Sequence, residues 1–204
     1  RERLAVCSTY THSAPLLRRV VSRKHGNTPL TAEQQAHEDR YTQQLTDWLE
    51  RVSLDALAAL KPGRLAWAEG RVAFAANRRV LKDGKWTGFG VNPDGPVDHS
   101  VPLLRVTDAQ GKLLAVLVNY ACHATTLPPD CLQIQGDWPG YAQQYIEAEH
   151  PGATAMVLIG CGADSNPEPR AKPGLAEQHG RTVADEVQRL LAGPMKPISP
   201  KLTA

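Results

Sequence analysis

The strongest constraint on the fold lies in residues 113–191, where two apolar runs alternate with two helical segments. Leu113–Tyr120 is apolar almost throughout. A loop follows, then Pro139 opens a helix running to about Glu149, and His150-Pro151-Gly152 ends it. Ala153–Ile159 is a second apolar run, and Leu175–Leu191 reads as an amphipathic helix stopped by Gly193-Pro194. Near-continuous apolar strands are the habit of parallel strands covered by crossover helices. The expectation is an α/β fold: a mixed sheet with parallel βαβ units and flanking helices.

The rest of the chain fits around that unit. Leu4–Ser8 reads as a short buried strand leading into the polar segment Thr9–Pro15. Ser22–Pro29 is polar and reads as a surface excursion. Thr31 with Gln34 forms a capping box, and Leu45, Trp48, Leu49 and Val52 lie on one face of the helix it opens. Lys61-Pro62-Gly63 stops that helix. Arg64–Ala76 reads as one strand, or as two with the break at Gly70, and Lys82–Pro96 as loop. Val101–Val106 and Leu113–Tyr120 flank Asp108-Ala109-Gln110-Gly111, a hairpin signal. The domain expected is 1–194, followed by a loose Pro-rich tail at 195–204.

Composition narrows the function. Lys+Arg 23 against Asp+Glu 21 leaves a net charge of +2, too balanced for a nucleic-acid protein. No run approaches the length of a membrane span. The 42% hydrophobic content excludes wholesale disorder. Cys7, Cys122, Cys131 and Cys161 show no CxxC spacing and read as free thiols buried near strand ends, with a Cys122–Cys131 disulfide as the alternative. The chain opens Arg1-Glu2-Arg3-Leu4 without a Met, so a processed chain or a piece of a longer one is expected.

Reactive residue types cluster just after apolar runs: Tyr10 and His12, Asn77-Arg78-Arg79, His123, and Asp164-Ser165-Asn166. Ligands of open α/β sheets bind beyond the carboxyl ends of strands, and parallel strands would bring the four clusters to one edge. His123 suits a metal ligand, a general base, or a satisfied histidine at a sheet end. Asp137 reads as a helix N-cap ahead of Pro139. Gly160–Pro167 offers small residues whose backbone N–H groups can approach an oxyanion, and Ser165 is not in a GxSxG setting. Arg78 and Arg79 read as an anion clamp or a solvated strand end. His25, His37 and His150 read as surface residues, while His99 and His179 stay open.

Taken together, the motifs resemble the neutral, non-lysosomal ceramidase family, most closely a bacterial branch. Cys7–Pro15 is similar to its Thr-His-Thr-His-Ser-Gly-Pro signature, Asn77-Arg78-Arg79 to its Asn-Arg-Ser/Arg, and Asn119–Thr126 to its Asn-Trp-Phe-Ala-Val-His-Pro/Ala-Thr-Ser. Gly136-Asp137 with Gly140-Tyr141-Ala142, and Cys161–Pro167, follow in the family's order. The resemblance implies a Zn²⁺-dependent amidase that cleaves an N-acyl amide of a sphingolipid-like substrate. It implies a secreted or periplasmic enzyme, with no transmembrane span, that works on or near membranes. It makes His123 a zinc ligand, puts Tyr10 at the family's other ligand histidine, His12 near the metal, and Arg78 in the active site. Asp164, Ser165 and Asn166 fall on the catalytic loop, with Asn166 at the serine position in the better alignment and Ser165 there in the alternative. Phenol is a poor zinc ligand near neutrality, its pKa being about 10. The resemblance also draws a Glu and a Tyr ligand from beyond residue 204. Three readings therefore stand: a ceramidase-like zinc amidohydrolase, a catalytically incomplete domain that binds a ligand or partner, and a serine hydrolase using Ser165.

Overall fold

A computed structural model describes residues 5–18, 30–172 and 174–199. The chain divides into two units, one of residues 14–62 and one of residues 1–13 with 63–204. The polar segment Ser22–Pro29 and the end of the tail, 200–204, lie outside the described residues.

The smaller unit is built on α1 (Ala32–Ala58). Thr31 caps it as its sequence predicts: the Thr31 hydroxyl accepts from Gln34 N–H, and the Gln34 side chain accepts from Thr31 N–H. Two orphan donors of the first turn are thereby satisfied. Arg51 and Asp55 pair one turn apart. The helix buries no residue, and Trp48 and Val52 stay exposed.

The larger unit holds β1 (Arg64–Arg71), β2 (Ala75–Asn77), β3 (Arg79–Lys82), β4 (Lys85–Phe89), β5 (Ser100–Thr107) and β6 (Leu113–Tyr120). Then come α2 (Asp137–Glu149), β7 (Thr154–Ile159), β8 (Ser165–Pro167), α3 (Leu175–Ala192) and β9 (Lys196–Pro197). Five strands form one sheet in the order β7-β6-β5-β1-β9. β6 and β7 run parallel, joined through α2, while β5 pairs antiparallel with both β6 and β1. The fold is α/β with a mixed sheet, as the apolar runs predict.

β6 and β7 are less deeply buried than parallel strands covered on both faces. Val116, Val118 and Tyr120 are fully buried, whereas Ala115, Leu117 and Asn119 between them are only half-buried. α2 and α3 pack on each other as well as on the sheet, so they cover one face and leave the other partly open. Trp138 and Ile146 of α2, with Val183 and Val187 of α3, complete the core. Phe74, Tyr120 and Trp138 meet edge to face, their centroids 5.0–5.7 Å apart. The Tyr120 hydroxyl donates to Val72 O and accepts from Ala75 N–H, both at 3.0 Å, which stitches the chain ahead of β2 to the end of β6.

Several local expectations need correction. Leu4 lies outside the described residues, and Ala5–Ser8 is irregular and exposed rather than a buried strand. Among the described residues this segment finds no ladder partner beyond the isolated bridge of Thr11 with Ala124, and an unpaired run has nothing to hold it extended. The strand β1 runs straight through Gly70, and the break comes between Arg71 and Ala75. A Cβ at position 70 would collide with the Glu186 carboxylate, which accepts from Arg71 N–H at 2.7 Å; glycine here serves a close approach, not a break. Lys82–Pro96 is not all loop: β3 and β4 form a separate hairpin. Asp83 (φ 52°) and Gly84 (φ 71°) both take positive φ, the requirement of a type I′ turn. In the tail expected to be loose, Lys196–Pro197 pairs with β1. The four cysteines are free thiols: Cys122 is buried, as expected near a strand end, but Cys7 and Cys161 are exposed.

Candidate functional site

The site forms beyond the carboxyl ends of the parallel pair β6 and β7. Its centre is His123, three residues past β6 and 4% exposed. His123 Nδ1 lies 2.6 Å from the Gly162 carbonyl, which can only accept, so Nδ1 carries the proton and Nε2 keeps its lone pair. Burial pushes the His123 pKa down and outweighs the Gly162 bond, with the charges of Arg78 and His12 acting in the same direction. The ring is neutral near pH 7, a state suited to accepting a proton or binding an electrophile.

The backbone holds His123 equally firmly. Its N–H donates to Ser165 O at 3.0 Å, and its carbonyl accepts from the Trp138 indole at 2.9 Å. Gly162 reaches His123 because it lacks a side chain: a Cβ there would come 2.5 Å from Cys122 N.

Asp137 secures the next stretch, though not as an N-cap. The cap is Gly136, and Asp137 sits inside the helix start at φ 54°, 1% exposed. One carboxylate oxygen accepts from Thr126 and Leu127 N–H at 2.8 and 3.1 Å, the other from Trp138 N–H at 2.7 Å. A non-glycine residue in the left-handed region costs about 1–3 kcal/mol and persists only where its surroundings over-determine it. Three charge-assisted bonds supply that here.

The Tyr10–His12 segment arrives alongside. Tyr10, at φ 56°, and His12 form a three-ring cluster with His123, centroids 4.9 Å (Tyr10–His123), 5.2 Å (Tyr10–His12) and 5.8 Å (His12–His123). Its seat is backbone: His12 N–H donates to Ala124 O, the Thr11 hydroxyl donates to Gln135 O at 2.7 Å, and Gln135 N–H donates to Ser13 O.

Arg78 comes from the end of β2, by a route different from the one its sequence suggests. β2 belongs to no parallel array; it pairs antiparallel with β8, with Asn77 opposite Ser165. Arg78 N–H then donates to Asp164 O at 2.7 Å, its Nε to Ala163 O at 3.1 Å and its Nη1 to Asn166 Oδ1 at 3.3 Å. Asn166 Oδ1 accepts from the Thr125 hydroxyl as well, at 3.1 Å. The Ser165 hydroxyl is buried and lies 3.4 Å from Asp164 Oδ1. Arg79 is exposed and forms the start of β3, outside this network.

All four clusters therefore meet at one place. Sequence reasoning placed Asn77 in the second cluster but missed what it does there, and it missed Thr125 and the carbonyl of Gly162. Asn77 is 3% exposed, donates to Pro96 O and accepts from Arg79 N–H, so it sets the angle at which Arg78 leaves β2. Its signal was the Gly95-Pro96 pair, since a Cβ at Gly95 would collide with the Asn77 side chain. Among the remaining histidines, His179 is buried, stacks on Phe74 at 4.3 Å and bonds Pro169 O, while His99 bonds Ala75 O and His150 bonds Gln188. His37 is exposed, and His25 lies outside the described residues.

Among the described residues, no group of three or more His, Cys, Asp and Glu side chains converges as a metal would require. Catalytic zinc sites use three protein ligands. Two imidazoles and a phenol, the last at 50% exposure, do not make that set.

No protein-family model matches the chain, and no curated protein matches it in sequence. Solved structures do match. The chain superposes on the neutral ceramidase of Pseudomonas aeruginosa with a TM-score of 0.66 and 21% identity, over 78% of this chain and 27% of that one. A ceramidase complexed with C2 matches with a TM-score of 0.60 and 21% identity, over 72% and 25%. The fold is ceramidase-like, and the chain spans about a quarter of the length of these neighbours.

Proposed function

We propose that this chain carries part of the active site of a ceramidase-like hydrolase that cleaves the N-acyl amide of a lipid. The observation supporting this most directly is the convergence of a neutral, backbone-locked His123 with Arg78 and Asn166 on a ceramidase-like fold. In this reading the amide carbonyl oxygen lies against the Arg78 guanidinium, which stabilises the oxyanion as it forms. His123 Nε2 takes a proton from the attacking water and returns it to the leaving amine, so one proton is borrowed and restored. Asn166 is held by Arg78 and Thr125, next to Asp164 and Ser165 in the loop. The rings of His12 and Tyr10 lie against His123.

Zinc, which the sequence resemblance implies, would take His123 and Tyr10, with His12 near by. These residues do not complete a zinc centre, and no step here is routed through the metal. That shortfall favours a second reading, in which the chain binds the amide lipid without hydrolysing it.

The test is hydrolysis of a short-chain ceramide, followed by chromatography of the released amine, alongside calorimetric binding of the same lipid. Turnover that falls about 100-fold in Arg78→Ala with the fold intact supports the hydrolase. Binding without turnover selects the second reading. Neither binding nor turnover refutes both.

A further inference from the structure

The β3–β4 hairpin has a composition that neither the core nor the site explains. Leu81, Trp86 and Phe89 are 53–61% exposed. Around them stand exposed Arg79, Lys82 and Lys85, against the single acid Asp83. Three bases less one acid give this short hairpin +2, as much as the net charge of the whole chain. No ion pair among the described residues involves Lys82 or Lys85. A two-stranded hairpin is marginal alone in water, and this one belongs to no larger sheet.

Its base is fixed to the site. Gly90 N–H donates to Arg78 O and Asn92 Nδ2 to Arg79 O, each at 3.0 Å. The Arg78 guanidinium lies 4.6 Å over the Phe89 ring, and Phe89 meets Trp86 at 5.6 Å. A continuous path of contacts thus runs from the candidate oxyanion-binding arginine to the exposed tryptophan.

We infer that this hairpin is a docking device for an anionic lipid surface. Tryptophan and lysine together suit a bilayer interface: the ring lies at headgroup level while the ammonium groups meet lipid phosphates. Each basic residue near an anionic leaflet contributes about 1 kcal/mol. A single-stranded nucleic acid fits less well. Trp86 and Phe89 stand at 67° to each other, not as a stacking platform, and aliphatic Leu81 adds nothing to base recognition. The inference deepens the amide-lipid reading by saying how an insoluble substrate reaches Arg78. Its test uses no substrate, so either can fail without the other.

The experiment is flotation of the chain with vesicles of phosphatidylcholine alone, and of phosphatidylcholine with roughly one-third phosphatidylglycerol. Binding to the anionic vesicles alone is expected, weakened roughly 30-fold in the double variant Lys82→Ser/Lys85→Ser, since two lost charges multiply. Brominated lipid should quench part of the tryptophan fluorescence, and that part should vanish in Trp86→Phe. This second readout keeps the inference testable if the lysine variant folds poorly. Absence of binding, equal binding to both vesicles, or quenching that survives Trp86→Phe overturns it. So does a dimer in sedimentation whose formation Trp86→Ser abolishes, since the face would then belong to a second copy.

Discussion

Two tryptophans, Trp138 and Trp86, connect to the same site through different neighbours, Trp138 through His123 and Trp86 through Phe89 and Arg78. Trp138 is fully buried, meets Phe74 and Tyr120, and donates to the carbonyl of His123. Trp86 is 56% exposed and touches Phe89. The first fixes His123 from the core, where every neighbour constrains every other; the second belongs to a surface that the core does not need. The difference teaches that burial sorts the residues near a site into those that hold it and those that present it.

The largest expected effect comes from breaking the buried side. Trp138→Ala should cost about 3–5 kcal/mol through the cavity alone, with His123 O left only the weak Cys122 thiol donor besides, read as a lowered urea midpoint. Asp137→Ala should cost about 2–3 kcal/mol, because buried N–H groups of Thr126 and Trp138 lose their acceptor. Asp137→Gly would remove the same bonds but relieve the positive φ, and should recover part of that loss. A variant series in which glycine is worse than alanine would show that the backbone conformation there is not strained.

A smaller effect should come from pH. Burial is the first cause lowering the pKa of both His179 and His123 below the ordinary 6.5. The unfolded chain then binds more protons than the folded one, so stability is full above the unfolded value. It falls as pH drops below about 6.5 and stops falling only beneath the folded pKa. Urea midpoints measured from pH 8 to pH 5 should fall with acid, and His179→Gln should flatten that slope. The smallest effect belongs to the exposed side: Trp86→Ala should change stability by no more than about 0.5 kcal/mol. A larger loss would mean the hairpin supports the fold and would erase the contrast between the two tryptophans.

Much of the fold is legible in the residues. Leu113–Tyr120, Ala153–Ile159 and the last helix announce themselves because long apolar runs and clear stops leave few alternatives. The Thr31 capping box is equally explicit, since it depends only on neighbours in sequence. The hairpin escapes because Lys82–Pro96 is rich in loop formers. Yet Asp83-Gly84 between Val80-Leu81 and Trp86-Thr87 is a turn flanked by strand formers. The sequence brings the four clusters together only on parallel strands, whereas Tyr10 and His12 follow an irregular segment and Arg78 arrives by the antiparallel pairing of three-residue β2 with three-residue β8. Asp137 looks like a cap because Asp before Pro139 usually is one; its bonds to Thr126 and Leu127 are tertiary, and periodicity does not record them.

His123 and Arg78 take their bearings from the oxygens of Gly162, Ala163 and Asp164. A carbonyl is the same group whatever side chain follows it. Apart from Gly162, whose missing Cβ is itself needed, this stretch can exchange one letter for another while the two side chains it steers keep their aim. Aim at such a site is set by the path of the chain rather than by its spelling. Chains that share the path can therefore differ widely in sequence and still superpose.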